Sequence, residues 1–163
     1  MEFTENVLIV STGRFRESDI WVRFISPSRG MLTAFAFGGC KSRKRFCGCL
    51  DVLNQVRFRV KSDRAGKYLS LMEGSLVQSP MRLRSDWQRF GMAINCIRFY
   101  EAVGCDADCE GDVFGLLIKS LDALDSEPEV SNFFPILFRL RLLKELGIAP
   151  DTNSCARCGQ DLQ

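Results

Sequence analysis

The sequence predicts a small β-barrel over residues 1–80 followed by an all-α domain over residues 81–163. Three observations carry that division. After Ser79-Pro80 the apolar residues stop alternating and recur at helical spacing; turn signals crowd only the first part; and the charge changes sign at the same place. Residues 1–80 hold 13 Lys/Arg against 7 Asp/Glu, a net +6, whereas residues 81–163 hold 9 against 13, a net −4. The overall charge of +2 hides this asymmetry, which suits either a basic part that meets an anionic polymer or a basic face that is merely solvated.

Strands are expected at Asn6–Thr12, Ile20–Ile25, Met31–Phe37, Val56–Lys61 and Tyr68–Glu73. In the second, Ile20, Val22 and Phe24 share one face, and Trp21, Arg23 and Ile25 share the other. Val56-Arg57-Phe58-Arg59-Val60-Lys61 alternates without a fault, burying three apolar side chains and aiming three cations outward. Gly13-Arg14, Ser26-Pro27-Ser28-Arg29-Gly30, Gly38-Gly39 and Asp63-Arg64-Ala65-Gly66 supply the turns. Five short strands are too few for a two-sheet sandwich. They fit a barrel of the OB type, whose strand face and loops commonly bind oligonucleotides.

Three helices are expected beyond Pro80. The first runs from near Asp86 to Val103, capped by Ser85, with Trp87, Phe90, Ile94, Ile97 and the Tyr100/Glu101 turn as its inward stripe. The second covers about 112–124, with Phe114, Leu117, Ile118, Leu121 and Leu124 inward. The third covers about 132–146, capped by Ser131 and stopped by Gly147, with Pro135 harmless in its first turn.

Composition removes several classes of function. The chain has no histidine, which excludes Ser-His-Asp and Cys-His nucleophile pairs and Cys₂His₂ fingers. Neither a phosphate-binding Gly-x-x-x-x-Gly-Lys-Ser/Thr loop nor a Gly-x-Gly-x-x-Gly turn occurs, so no enzyme is expected. The acidic start Met1-Glu2-Phe3-Thr4-Glu5-Asn6 and the short apolar run Val7–Val10 do not make a secretory signal, and no run is long enough for a membrane span. A cytoplasmic location is the expectation, where the eight cysteines are reduced thiols or metal ligands.

The most informative segment is Phe37-Gly38-Gly39-Cys40-Lys41-Ser42-Arg43-Lys44-Arg45-Phe46. Two glycines end a strand, and four cations follow within five positions, a density that no core accepts. Arg14, Arg16, Lys41, Arg43, Lys44, Arg45, Arg57 and Arg59 are the candidates for phosphate contact, each releasing counterions on binding. Phe15 and Phe46 either stack bases or plug the barrel, and plugging is favoured for both. No base-reading helix is recognisable, so binding should be sequence-tolerant and salt-dependent. Two other classes stay open: an adaptor whose basic face meets an acidic protein tail, and an RNA-binding OB protein.

Cys155-Ala156-Arg157-Cys158-Gly159 has the two-thiolate spacing of a structural zinc knuckle. It is half a zinc site, and three explanations compete: a shortened chain, completion by other cysteines such as Cys105 and Cys109, or an empty knuckle. Cys47-Gly48-Cys49 is spaced too closely for such a pair.

Taken in order, these motifs resemble the RecO family of bacterial DNA repair and recombination mediators, over nearly the whole chain. The resemblance is carried by Glu17-Ser18-Asp19, Ile25-Ser26-Pro27-Ser28-Arg29-Gly30, the basic loop at 38–45, and Leu146-Gly147-Ile148-Ala149-Pro150 ahead of Cys155-x-x-Cys158. It implies an N-terminal OB fold, a helical C-terminal domain and a zinc-binding element. It also implies binding to single- and double-stranded DNA, strand annealing, and help in loading RecA onto strands covered by single-strand-binding protein (SSB), together with RecR. Such proteins work at the nucleoid and hold the acidic, aromatic-ended SSB tail through the helical domain. Arg139, Arg141 and Lys144 on the third helix are candidates for that contact, though a solvated face explains them equally well. The chain is shorter than typical members, and no second cysteine pair follows the first.

Overall fold

The structure is a computed structural model that describes residues 2–42, 44–104, 110–149, 151, 153–155 and 157–161. Its strands are β1 (Glu2–Arg14), β2 (Ile20–Ser26), β3 (Gly30–Ala36), β4 (Gln55–Ser62) and β5 (Leu69–Gln78). They close a barrel in the order β1-β2-β3-β5-β4, the five-stranded arrangement expected from the turn spacing. Every neighbouring pair is antiparallel except β3 and β5, which run parallel and share only Ala34↔Leu69 and Phe35↔Ser70.

Alternation decides what fills the barrel. Val7, Ile9, Val22, Phe24, Ala34, Ala36, Val56, Phe58, Val60 and Leu71 point inward, and Phe24 meets Phe58 edge-on with centroids 5.5 Å apart. The run Val7–Val10 is buried on both faces. Val7 and Ile9 line the barrel, while Leu8 and Val10 join Ile25 and Leu53 in a second core shared with the helices. This explains why β1 has an uninterrupted apolar run where the other strands alternate.

The second core is built from α1 (Met81–Ser85), α2 (Trp87–Val103), α3 (Glu110–Ser126) and α4 (Phe134–Glu145). The three expected helices are present, and α1 is a further short turn ahead of them. The cap of α2 is Asp86, whose carboxylate accepts from the Gln88 and Arg89 N–H groups at 2.9 and 3.2 Å. Ser85, the expected cap, instead closes α1 by donating to the Arg82 carbonyl. The expected stripe of α2 holds at Ile94, Ile97 and Tyr100, which face the core, but not at its start. Ala93, Cys96, Ile97 and Tyr100 are buried, whereas Trp87 is 81% exposed and Phe90 lies near the surface. Helical spacing permits either face, and the small residues Ala93 and Cys96 allow closer packing than Trp87 and Phe90 would. In α3, Leu117, Leu121 and Leu124 are buried as expected, with Phe114 and Ile118 partly so. In α4 Pro135 lies in the first turn and Gly147 follows the end at φ 69°. Ser131 does not cap α4 directly; its hydroxyl accepts from Phe133 N–H in the turn before it. No helix among the described residues is long and apolar enough to cross a membrane.

Desolvation pushes the buried Cys49 thiol up to about 11 and the Cys96 thiol up to about 12, against an ordinary 9.0. The folded state therefore keeps these protons while the unfolded chain begins to lose them near pH 9, so stability falls from there to about 11–12. Urea unfolding of Cys96→Ala should show a shallower alkaline decline than the parent. Iodoacetamide should spare Cys49 and Cys96 until the chain unfolds; native-state labelling of either as fast as exposed Cys40 would contradict the packing.

Candidate nucleic-acid interface

The outward face of β4 carries Arg57, Arg59 and Lys61, because Val56, Phe58 and Val60 take the inward positions. Their neighbours differ. Arg57 lies between Asn6 on β1 and Ser75 on β5, both uncharged. Arg59 lies between Thr4 and Glu73, pairs through Nε with the Glu2 carboxylate, and reaches Glu73 through Nη1 at 3.5 Å. The hydrogen bond that Arg59 donates to Glu2, followed by the charge of that carboxylate, raises the guanidinium above its ordinary value. Of the two, Arg57 is the cation with no carboxylate beside it in register. Arg59 is already neutralised.

The connection between β3 and β4 places Lys44 and Arg45 beside this face. Gly38 turns at φ 68°, and its N–H donates to the buried Asp19 carboxylate at 2.7 Å. A single 3-10 turn over Gly39–Lys41 follows, docked where Cys40 N–H reaches the Ser18 carbonyl at 3.0 Å. Glu17-Ser18-Asp19 thus anchors the start of the basic loop. Arg45 then secures its middle. Its guanidinium donates to the Phe37 carbonyl at 2.6 Å, its N–H to Ser42 Oγ at 3.1 Å, and its carbonyl accepts from Gly74 N–H at 2.8 Å. Phe46 and Cys49 enter the barrel core directly after it. Gly74 permits this docking, since a Cβ there would stand 2.7 Å from the Phe58 ring and 3.0 Å from Cys49 Sγ.

Lys44, Arg45, Arg57 and Arg59, with Thr4 and Glu73, line an open groove of about 470 Å³. It offers fixed cations and hydroxyls to an extended polyanion. The expected candidates therefore divide. Four line the groove; Arg14, Arg16 and Lys41 are exposed around the β1–β2 turn and the 3-10 turn; Arg43 lies outside the described residues. The carboxylates that pair with Arg59, Glu2 and Glu73, were not legible, because finding them requires the register of β4 against both neighbours. Of the two phenylalanines, Phe46 plugs the barrel as expected, but Phe15 does not. It stands on the outside against Phe35 and Phe37, because it follows the end of β1 at Arg14, in the β1–β2 turn.

The three α4 cations do not form one surface. Arg139 turns toward α2, donating to Asn95 Oδ1 at 2.7 Å with its guanidinium over the Phe99 ring. Arg141 and Lys144 are exposed on the other side, Arg141 pairing with Glu145 at 2.9 Å. At the knuckle, Gly159 N–H closes the turn onto the Cys155 carbonyl at 2.8 Å. The Cys155 thiol is held below its ordinary value by the backbone N–H groups of Arg157 and Cys158 and by the Cys158 side chain. Such a turn stabilises thiolates, which suits a zinc ion, but among the described residues no third Cys, Asp or Glu joins the pair. Cys105 and Cys109 lie outside the described residues.

Comparison with known proteins adds two matches of family scope. Residues 1–80 match the family described as Recombination protein O N terminal, and residues 84–163 match Recombination protein O C terminal. The chain is 53% identical over 163 residues to a DNA repair protein RecO of Oleidesulfovibrio alaskensis, covering all of this chain and 66% of that protein. It is 49% identical over 160 residues to the protein of that name from Nitratidesulfovibrio vulgaris, covering 98% and 64%. The protein of that name from Myxococcus xanthus is 28% identical over 157 residues, covering 96% and 64%. The chain spans about two thirds of the length of these curated relatives.

The carboxylates beside Arg59 make a prediction about the groove. Glu73→Gln frees Arg59 from one partner, so binding to a single-stranded oligonucleotide should tighten, and the log–log salt slope should steepen by about 0.7 for one added phosphate contact. A fluorescence-anisotropy salt titration reads both; affinity and slope equal to the parent's would show that this pairing does not limit the groove.

Proposed function

This chain belongs to the RecO family of DNA repair proteins, and we propose that it is a non-enzymatic DNA-binding and strand-annealing part of a recombination mediator. The observation that carries this reading is the groove in which Lys44 and Arg45 from the loop converge with Arg57 from β4. Cations fixed by strand and loop recognise phosphates without reading bases. Annealing needs no chemistry. Neutralising two backbones removes their repulsion, and holding both strands raises their local concentration.

The family resemblance extends the proposal to RecR as a partner and to loading of RecA on SSB-coated single strands in the cytoplasm, at the nucleoid. For the SSB tail, α4 offers a surface of suitable chemistry. Phe133, Ile136, Leu137 and Leu140 are exposed, and Arg141 and Lys144 follow on the same side of the helix. An apolar stripe ending in cations suits a short peptide with an aromatic end and acidic residues. Arg139, engaged with Asn95, is not part of it.

We also infer that Cys155 and Cys158 supply two thiolates to a structural zinc ion, which would cross-link this end of the helical domain. Metal content measured on purified protein should give zinc that disappears in Cys155→Ser with Cys158→Ser; zinc at background in the parent overturns the inference.

The DNA reading is tested by Lys44→Ala combined with Arg57→Ala, both exposed and neither a hydrogen-bonded anchor of the loop. Losing two phosphate contacts should flatten the single-strand salt slope by about 1.4 and slow annealing of complementary oligonucleotides. Affinity, slope and annealing rate all equal to the parent's would remove the groove from the interface.

A further inference from the structure

We propose that Phe15, Phe37 and Tyr68, resting on Phe35, form a base-stacking platform, so that the chain holds a single strand by its unpaired bases as well as by its phosphates. The inference rests on the DNA-binding reading above and deepens it by assigning a second part of the same site.

The platform is built on the outer face of the barrel. Trp21 on β2 lies in register between Gly13 on β1 and Phe35 on β3. Glycine is required at 13, since a Cβ there would come within 2.6 Å of the indole, which lies down over that position. Phe35 is the hub of the rings. It meets Phe15 edge-on at 5.2 Å, Tyr68 edge-on at 6.4 Å, and Phe37 in a stacked orientation at 6.3 Å and 27°. Phe15, Phe37 and Tyr68 are 40%, 49% and 57% exposed, so a substantial ring area faces water. The barrel core does not need them, being filled by its ten inward strand residues with Phe46 and Cys49.

An apolar surface of this kind also suits a protein partner, but its frame favours a polyanion with flat apolar groups. The Arg16 guanidinium stands 5.4 Å from the Phe15 ring centroid and 4.0 Å from the Asp19 carboxylate, and Arg14 is exposed at the end of β1. Arg45 donates to the carbonyl of Phe37 and also lines the cationic groove, which makes rings and groove one continuous surface. Of the acids at the β1–β2 turn, Asp19 is buried and engaged with Gly38 N–H, leaving Glu17 as the exposed one. Rings for stacking beside cations for the backbone are the combination by which sequence-tolerant proteins hold single strands. Paired bases in a duplex are stacked on one another and cannot use the rings. The platform therefore separates a single-strand mode from a duplex mode that uses the groove alone.

The test compares three probes: oligo(dT), an oligonucleotide of equal length whose sites are abasic, and a duplex. Phe37→Ala with Tyr68→Ala should weaken oligo(dT) binding by about tenfold or more, while affinity for the abasic strand and the duplex, and the salt slope on each, stay at parental values. Leucine at both positions keeps apolar area without flat rings and should show the same loss; tryptophan at Phe37 should restore binding. Equal losses on all three probes, no loss on oligo(dT), or full function with leucine would each overturn the platform. If the parent protein binds none of the probes, the DNA-binding reading fails and the platform with it. If the parent binds the abasic strand and the duplex but the alanine variant leaves oligo(dT) binding unchanged, the platform alone fails.

Discussion

Closing a five-stranded barrel through the pairing of β3 with β5 leaves a problem that shapes the rest of this domain. The two strands run parallel and share two register pairs, so most of the edge of β5 finds no partner in β3. An open edge with a hole beside it exposes both backbone polar groups and apolar side chains. The connection between β3 and β4 resolves this. Arg45 lends its carbonyl to Gly74, and Phe46 and Cys49 fill the interior. The cationic loop is thus not a free appendage. It is carried on the segment that completes the barrel, which is why Lys44 and Arg45 arrive beside Arg57 and are not dispersed in solvent.

The same segment ties the two domains together. Its end returns through Leu53, which adopts a left-handed conformation at φ 69°, is buried in the helical core and donates its N–H to the Ile9 carbonyl at 2.8 Å, while the Ile9 N–H donates to the Asn54 carbonyl at 3.0 Å. Arg84 from α1 donates to Asn54 Oδ1 at 2.9 Å and to the Val52 carbonyl, and Asn54 in turn reaches the Cys49 carbonyl at 3.1 Å. Asn54 is buried, so these bonds satisfy groups that would otherwise be costly to desolvate. Barrel plug, loop position and domain contact therefore share one stretch of chain.

Charge is arranged with similar economy. Carboxylates at Glu2 and Glu73 quiet Arg59, leaving the uncharged surroundings of Arg57 as the attractive centre of the groove. On α4, Arg139 serves packing against α2 while Arg141 and Lys144 face outward beside an apolar stripe. Counting cations along the chain treats all of these as equivalent. Their neighbours make them different, because an ion-paired guanidinium must give up a partner before it can take a phosphate.

Much was legible in one dimension. Strand alternation placed Val56, Phe58 and Val60 inside and Arg57, Arg59 and Lys61 outside, because side-chain direction in a strand follows from position alone. The switch of period after Pro80 marked where strands give way to helices, and a dense cationic run could only be an exposed loop. What the tertiary structure decided were matters of juxtaposition. The inward face of α2 was settled by which residues let its neighbours approach, so Ala93 and Cys96 displaced Trp87 and Phe90. The exposed rings of Phe15, Phe37 and Tyr68 are separated along the chain by more than twenty residues at each step, and only the sheet register and the return of the β4–β5 turn bring them to Phe35. Local sequence dictates which way a side chain points. Which side chains it meets depends on pairings whose free energy is shared across the whole barrel.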